Sequence, residues 1–270
     1  MSAPPDIAGC DAIRGWLAQR CGIHYPQHKT DLLRQRLARV QRAFTVPDLA
    51  ELARRLNAGT HHDLQLAVLH AASTNHTYFF REAEVLEAFC ARILPDLAGR
   101  DEIRIWSAAS STGDEAYTLA ILVAETLGMA ALQRLRILGT DISAPVVEQA
   151  EQAIFPEQRL ERVPPLLRRR YFEPAGIAQY RVIAALRSVC TFRQMNLKTM
   201  PLPFRKSFQA VFCRNVLYYF ERPDQTATLK AIHGVTEPGG WLVTSVTENI
   251  RDLPTPWVPV ENGIYRKAMP

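Results

Sequence analysis

The sequence predicts two domains, an all-α N-terminal domain and an α/β domain whose parallel sheet carries a small antiparallel β insert. Apolar residues recur at every third or fourth position through the first 72 residues, as they do on amphipathic helices. From residue 83 onward, short apolar strands alternate with helical segments, which is typical of a parallel sheet with crossover helices. Between Tyr171 and Arg193 neither pattern holds, and this irregular stretch indicates the insert.

The N-terminal domain is predicted to contain four helices. Their expected ranges are Ala8–Arg20, Lys29–Ala43, Pro47–Asn57 and His61–Ala72. Gly59 provides a stop after the third helix. The segment Ser73–Arg81 then breaks the helical period with polar and aromatic residues. We therefore expect a helical domain over residues 1–72, a linker over 73–82 and the second domain over 83–270.

The second domain is predicted to alternate strands and helices. The expected elements are a helix at Ala83–Leu97, a strand at Ile103–Ser107, a helix at Asp114–Leu127, a strand at Leu135–Thr140, a helix at Ala144–Ala153, and strands at Gln209–Cys213, Trp241–Val246 and Gly263–Lys267. Two intervening stretches, Tyr180–Ile183 and Ser188–Phe192, alternate apolar and polar residues. This alternation predicts an antiparallel hairpin or three-stranded sheet inserted at about residues 172–194.

Composition excludes several classes of protein. With 270 residues and 47% apolar content, the chain can bury substantial cores, and its longest apolar run, Leu119–Ala124, is six residues long. A membrane-spanning helix needs about 20 such residues, and the N-terminus shows no export signal, so we expect a cytoplasmic protein without membrane insertion. The five cysteines are widely spaced and form no CxxC pair, and the seven histidines show no metal-ligand spacing. No disulfide framework and no metal site are predicted.

Two positions at the expected carboxyl ends of strands suit a nucleoside ligand. The segment Ile105–Glu115 follows the first strand and opens a helix, and it contains small residues but only one glycine, Gly113. Asp141 follows the second strand, where a carboxylate can accept hydrogen bonds from both ribose hydroxyls. The alternatives are an ordinary strand-to-helix turn and an Asp141 that caps the next helix.

A third strand leads into Phe212–Phe220 at the same expected edge of the sheet. Enzymes that methylate amino groups of bases or glutamine carry Pro-Pro-aromatic after the Asn or Asp at this position, whereas Asn215 is followed by Val-Leu-Tyr. This difference disfavours an amine nucleophile. Tyr218 and Tyr219 are candidates for the site, although one of the two could pack in a core because adjacent side chains rarely face the same way.

The predicted second helix is strongly basic. The net charge is +5, 27 of the 32 basic residues are arginine, and residues 29–44 hold five basic side chains against Asp31. Arg36, Arg39 and Arg42 recur at three-residue spacing and therefore sweep one side of this helix. The helix either docks an acidic partner or is a solvated face. A nucleic-acid partner is disfavoured because no aromatic residues alternate with the basic ones.

Several segments together resemble the chemotaxis-receptor glutamate methyltransferases, the CheR family. The segments are Thr74–Arg81, Trp106–Glu115, Thr140–Ile142, Arg170–Phe172, Asn196–Leu197, Phe212–Phe220 and Thr247–Asn249. The resemblance implies an α/β fold: a Rossmann-like methyltransferase domain dependent on S-adenosylmethionine, with a small antiparallel β-subdomain insert, preceded by an all-α N-terminal domain. It also implies methyl transfer to glutamate carboxylates of a chemoreceptor cytoplasmic domain, with S-adenosylhomocysteine as product.

The resemblance assigns expected roles to individual residues. The positions expected to contact the cofactor are Asn75, Thr77, Arg81, Glu115, Asp141, Asn196, Leu197, Arg214 and Asn215. Arg81 and Tyr219 are expected near the transferred methyl group, and Arg36, Arg39 and Arg42 are expected to face the acidic methylation helices of the receptor. We expect a monomer. The alternatives are a carboxyl methyltransferase that acts on another protein and a cofactor-binding adaptor without catalysis.

The sequence also departs from the family pattern. Asp114-Glu-Ala stands where Glu-Glu-Pro is usual, Tyr218 replaces an aliphatic residue, and Phe172–Arg193 is short and lacks a Gly-x-x-x-Gly loop. In the family, the β-subdomain can bind a receptor's C-terminal peptide as an added strand. The short insert therefore predicts an enzyme that works without this tether.

Overall fold

The helical domain is formed by four α-helices around a core of its own. The computed structural model describes residues 5–73 and 76–269. The helices are α1 (Pro5–Cys21), α2 (Thr30–Ala43), α3 (Leu49–Ala58) and α4 (His62–Ala72), with a 3₁₀ turn at Gln27–Lys29 before α2. Asp48 caps α3 by accepting the backbone N–H of Glu51 at 2.8 Å, and Gly59 ends it in the left-handed conformation. The predicted all-α domain is confirmed.

The described residues from Ala83 onward form the α/β domain. Its elements in chain order are α5 (Ala83–Ala88), a π turn (Phe89–Ile93), α6 (Leu94–Leu97), β1 (Ile103–Ala108), α7 (Asp114–Leu127), β2 (Leu135–Asp141), α8 (Ala144–Gln152), β3 (Ile154–Pro156), α9 (Pro165–Tyr171), β4 (Phe172–Pro174), β5 (Gln179–Val182), α10 (Ala184–Arg187), β6 (Cys190–Gln194), β7 (Phe208–Cys213), α11 (Arg222–Gly234), β8 (Thr236–Val243), β9 (Trp257–Glu261) and β10 (Ile264–Lys267). Further 3₁₀ segments lie at Met129–Arg134, Glu157–Leu160 and Leu217–Tyr219.

The main sheet has seven strands in the order β6-β2-β1-β7-β8-β10-β9. The first five strands are parallel, and β10 pairs antiparallel with both β8 and β9. Ala108 at the end of β1 pairs with Thr140 of β2 and with Cys213 of β7. Three strands thus reach their carboxyl ends side by side, which is where open α/β sheets bind their ligands. The predicted α/β fold class is confirmed.

The antiparallel insert is placed differently from the prediction. The small sheet has the order β3-β5-β4, and β3 precedes the predicted range of about 172–194. The stretch Ser188–Phe192 was predicted to belong to the insert, but β6 pairs in parallel with β2 at the edge of the main sheet. Phe192 of β6 is buried in the main core, and that burial accounts for the alternation seen in the sequence. The predicted domain limits remain predictions.

Two predicted elements differ in detail from the observed ones. The helix predicted at Ala83–Leu97 is helical throughout, but five of its residues form the π turn just before Pro95, which has no N–H to donate. The strand predicted at Trp241–Val246 runs over Thr236–Val243 instead. No helix among the described residues is both long enough and apolar enough to cross a membrane.

Candidate active site

A cavity opens at the carboxyl ends of β1, β2 and β7 and encloses about 1020 Å³, counting the part open to solvent. Eight of the nine residues predicted to contact a cofactor line it: Thr77, Arg81, Glu115, Asp141, Asn196, Leu197, Arg214 and Asn215. The ninth, Asn75, lies outside the described residues. Tyr219, predicted near the reacting group, is also on the wall. Residues as far apart in the chain as Thr77 and Tyr219 therefore meet at one edge of the sheet.

Asp141 ends β2 with its carboxylate against this cavity and is only 6% exposed. One oxygen accepts the backbone N–H of Ser111 at 2.9 Å, and the other accepts that of Ser143 at 3.0 Å. Burial raises the pKa of Asp141 above its ordinary value, although these backbone N–H groups counteract part of the rise. The carboxylate is fixed in orientation and keeps acceptor capacity for a ligand.

Arg214, at the end of β7, joins several chain segments beneath the cavity. Its guanidinium donates to Glu115 at 2.9 Å and to the carbonyl of Arg81 at 2.6 Å, and it lies 3.3 Å from Glu82. The Arg214 side chain is 2% exposed. Burial opposes ionisation of Glu82, but the Asn215 side-chain N–H and the Arg214 charge outweigh it, so the pKa of Glu82 lies below its usual value.

Glu248 holds the loop that follows β7. Its carboxylate accepts the backbone N–H groups of Asn215 at 2.6 Å and Leu217 at 2.8 Å. Asn215 adopts the left-handed backbone conformation, φ 58°, which asparagine tolerates better than most residues. Burial raises the pKa of Glu248, and the backbone N–H groups that it accepts counteract the rise. This carboxylate fixes the path of the chain from Asn215 to Tyr219.

Arg81 and Tyr219 supply a cation and a hydroxyl to the same cavity. Arg81 donates to the carbonyl of His76 at 2.7 Å, and its guanidinium lies 5.6 Å from the centre of the Tyr78 ring. The rings of Tyr218 and Tyr219 are tilted by 53° with centres 4.4 Å apart, and their hydroxyls lie 3.4 Å from each other. Tyr218 is exposed, so the alternative of core packing does not apply to it.

The helical domain forms part of the cavity wall. Cys21, at the end of α1, and Ile23 both line it. The backbone N–H of His24 donates to the carbonyl of Tyr219 at 2.8 Å, and Asn196 donates to the carbonyl of Arg20 at 2.7 Å. A Cβ on Gly22 would lie 2.8 Å from the Phe220 ring, so glycine permits this close approach. Both domains thus build the site.

The cavity suits a nucleoside cofactor. The hydroxyl of Ser110 is buried on the cavity wall and has no hydrogen-bond partner among the described residues. A Cβ on Gly139 would lie 2.4 Å from the Phe192 ring and 2.9 Å from the Ser110 hydroxyl. Glycine therefore lets the Phe192 ring and the Ser110 side chain approach the backbone of β2, and the Ser110 hydroxyl remains a polar group available to a ligand.

The three arginines predicted to dock a partner do not share one role. Arg36 donates to the hydroxyl of Tyr25 at 2.8 Å and to the carbonyls of Ala72 at 3.0 Å and Ser73 at 3.3 Å. Arg39 and Arg42 are exposed. Arg36 is half-buried, binds the end of α4 through Nη1 and also lines a groove beside that helix, so its docking role remains a prediction.

Two site residues were not predicted from the sequence. Glu82 joins Arg214, Asn215 and the backbone of Val246, and Glu248 holds the loop after β7. Glu248 lies within the Thr247–Asn249 segment, and Glu82 follows Arg81 directly, so both were next to residues already chosen. An acidic residue whose partners are backbone N–H groups from distant segments leaves no pattern of its own in a sequence.

Comparison with known proteins agrees with this geometry. Residues 8–71 match the domain family described as "CheR methyltransferase, all-alpha domain". Residues 75–263 match the one described as "CheR methyltransferase, SAM binding domain". A chemotaxis protein methyltransferase 1 of Pseudomonas aeruginosa is 32% identical over 96% of this chain and 97% of its own length. The chemotaxis protein methyltransferase of Vibrio parahaemolyticus is 33% identical over 88% of each chain. The solved structure of DszA carbon methyltransferase aligns with a TM-score of 0.42 and 16% identity over 81% of this chain and 51% of that one.

The fold and the site thus define a methyltransferase whose cofactor is S-adenosylmethionine. The chain belongs to the CheR methyltransferase family, which matches it over nearly its whole length. The resemblance found in the sequence is confirmed.

Proposed function

We propose that this enzyme transfers the methyl group of S-adenosylmethionine to glutamate side-chain carboxylates on the cytoplasmic helices of chemoreceptors. The names of the relatives support a role in chemotaxis. The observation that carries the choice of a carboxylate is that the Arg81 cation and Tyr219, which bears a hydroxyl, both line the cofactor cavity. Such a pair suits a planar anion.

The cofactor would be held by the residues at the three strand ends. Asp141 would accept hydrogen bonds from the ribose hydroxyls, and the buried hydroxyl of Ser110 lies on the same wall. Leu197, which is buried beside Asn196, would provide an apolar surface for the base. When bound, the cofactor supplies an electrophilic methyl group on a sulfonium.

The nucleophile needs no general base. A glutamate side chain has a pKa of about 4.3, so it is already ionised at neutral pH. Arg81 and Tyr219 would orient its carboxylate in line with the methyl group, and positioning of this kind lowers a barrier by several kcal/mol, as an order of magnitude. A carboxylate oxygen forms the new bond to carbon, and the electron pair of the broken bond remains on the leaving sulfur.

Receptor docking is assigned to the exposed face of α2. Arg39 and Arg42 are exposed there and carry the charge that acidic receptor helices would attract. A groove between α2, α4 and α8 lies beside Arg39. The family's use of this helix supports the assignment.

Binding of a receptor C-terminal peptide is not part of the proposal. The outer strands of the small sheet, β3 and β4, have three residues each and end in Pro156 and Pro174. Proline has no N–H to give to an added strand. Only a short turn, in which Ala175 N–H donates to the Gln179 carbonyl, connects β4 to β5. We therefore propose direct docking without a tether.

The test is transfer of tritiated methyl from S-adenosylmethionine to purified receptor cytoplasmic fragments. The proposal expects a labelled product that releases methanol in alkali, as a carboxyl ester does. Replacing Tyr219→Phe, which keeps the ring, should reduce kcat by about tenfold or more if the hydroxyl helps to align the carboxylate. Label that is stable in alkali contradicts ester formation. Cofactor binding without any transfer would favour an adaptor, and ester formed only on another protein would favour a different substrate.

A further inference from the structure

The segment Asp141–Ser143, which carries the proposed ribose-binding carboxylate, is held from two sides. On the sheet side, Met195 N–H donates to the Asp141 carbonyl at 2.8 Å, and Gln194 donates to the Ile142 carbonyl at 3.0 Å. On the other side lies α4 of the helical domain, where His70 Nδ1 is 2.6 Å from the hydroxyl oxygen of Ser143. The side chain of Ile142 packs against the core of the helical domain.

Ser143 links His70 to Asp141. It is the N-cap residue of α8, but its hydroxyl makes no capping bond and instead faces His70. Its backbone N–H donates to Asp141 at 3.0 Å, while Ser111 N–H holds the other carboxylate oxygen at 2.9 Å. Ser143 is 1% exposed and Asp141 is 6% exposed. A serine at an N-cap usually bonds its own helix, so the use of this hydroxyl toward another domain requires a separate explanation.

We propose that His70 is a positioning residue of the cofactor site, acting through Ser143 on the carboxylate of Asp141. This inference rests on the assignment of Asp141 to the ribose hydroxyls. A carboxylate in a strand-to-helix turn can bind two hydroxyls only if its plane is fixed, because hydrogen bonds weaken steeply with angle. In addition to docking the receptor, the helical domain therefore helps to hold the Asp141 carboxylate in place. The hydrogen bond has this effect whichever of the two atoms donates.

The test is calorimetric titration of the full-length protein with S-adenosylhomocysteine, which needs no catalysis. His70→Ala should weaken binding about fivefold to tenfold, as expected when a supporting hydrogen bond is lost. His70→Asn should restore most of the affinity, because its amide carries a polar atom at the same distance from the backbone as Nδ1. His62→Ala is the matched control, since His62 is exposed on the same helix. It should bind as the wild type does.

A double-mutant cycle separates positioning from general stabilisation. In an Asp141→Asn background, His70→Ala should change affinity by less than about twofold, because the group on which His70 acts has been altered. An equal loss in both backgrounds overturns the proposal, and so does wild-type affinity in His70→Ala. Failure of His70→Asn to restore binding likewise indicates packing alone. If Asp141→Ala binds as the wild type does, the ribose assignment itself is wrong, and this result is distinct from a failure at His70.

Discussion

Arginines occur in two contrasting settings in this protein. Beneath the cavity, Arg214 is 2% exposed and binds Glu115 and Glu82, which come from other segments of the chain. On the outer face of α2, Arg39 and Arg42 are exposed. The Arg214 side chain is buried and held by hydrogen bonds, whereas the side chains of Arg39 and Arg42 are exposed to solvent.

The contrast shows that residue type alone does not determine energetic importance. A buried ion pair is strongly coupled to the fold, because removal of one partner leaves an uncompensated charge. Exposed ion pairs contribute little individually and are screened by salt. We therefore expect the cavity residues to govern stability and cofactor affinity, and the α2 residues to govern the rate of association. Four measurements test this division.

The largest effect is expected from Arg214→Ala. This change leaves Glu82 and Glu115 without their shared cation, and the free energy of unfolding should fall by about 3 kcal/mol. Urea unfolding followed by circular dichroism measures the loss. Arg205→Ala is the control, because Arg205 is exposed, and it should stay within about 0.5 kcal/mol of the wild type. Equal stability of the two variants would show that the buried arginine contributes no more to the fold than an exposed one.

The second effect concerns Asp141→Ala. Loss of two hydrogen bonds to a charged acceptor should cost roughly 3 kcal/mol, which is about a hundredfold in affinity for S-adenosylhomocysteine. Calorimetry measures the affinity, and thermal unfolding of the free protein checks that the variant is folded. Affinity near that of the wild type would show that Asp141 does not bind the ribose.

A third, smaller effect is a pH dependence that originates in Asp141. Burial raises its pKa above the ordinary 3.8, and the ionised form is the one that accepts ribose hydroxyls. Affinity should therefore fall as pH decreases through this raised pKa, that is, at a higher pH than for an ordinary aspartate. Asp141→Asn cannot ionise, and its binding should lack this component. His70 is present in both proteins, so the difference between the two slopes isolates Asp141. Parallel slopes would contradict the assignment.

The smallest effect per substituted residue is expected for the exposed arginines of α2. Replacing Arg39 and Arg42 together by Ala should raise the KM for receptor several-fold at low salt and leave kcat unchanged, with the difference fading at high salt. Arg54→Ala is a suitable control, because this exposed arginine in the same domain is paired with Glu51. An unchanged KM at low salt would identify the face as merely solvated.

Much of the site could be predicted because sequence motifs mark strand ends. Asp141 is predicted from its place after an apolar strand, and Arg214 from the resemblance to the family; parallel strands bring their carboxyl ends to one edge. Glu82 and Glu248 could not be predicted in the same way, since their partners lie in unrelated segments. Glu82 accepts from Asn215 and Val246, which are 133 and 164 positions away, and Glu248 accepts from Asn215, which is 33 positions away. The contacts of Arg36 with the end of α4 could not be predicted, because helical spacing gives the side of a helix but not which neighbouring segment covers it.

By itself, the sequence determined the two domains, the alternation of strands and helices and the family, because hydrophobic periodicity and motif order are local properties. Only the tertiary structure decided that β6 joins the main sheet and that Arg36 binds the end of α4. It also brought His70 to Ser143 across 73 positions of chain. Such contacts depend on how separately formed elements pack, and many packings are compatible with one local pattern until the whole core is assembled.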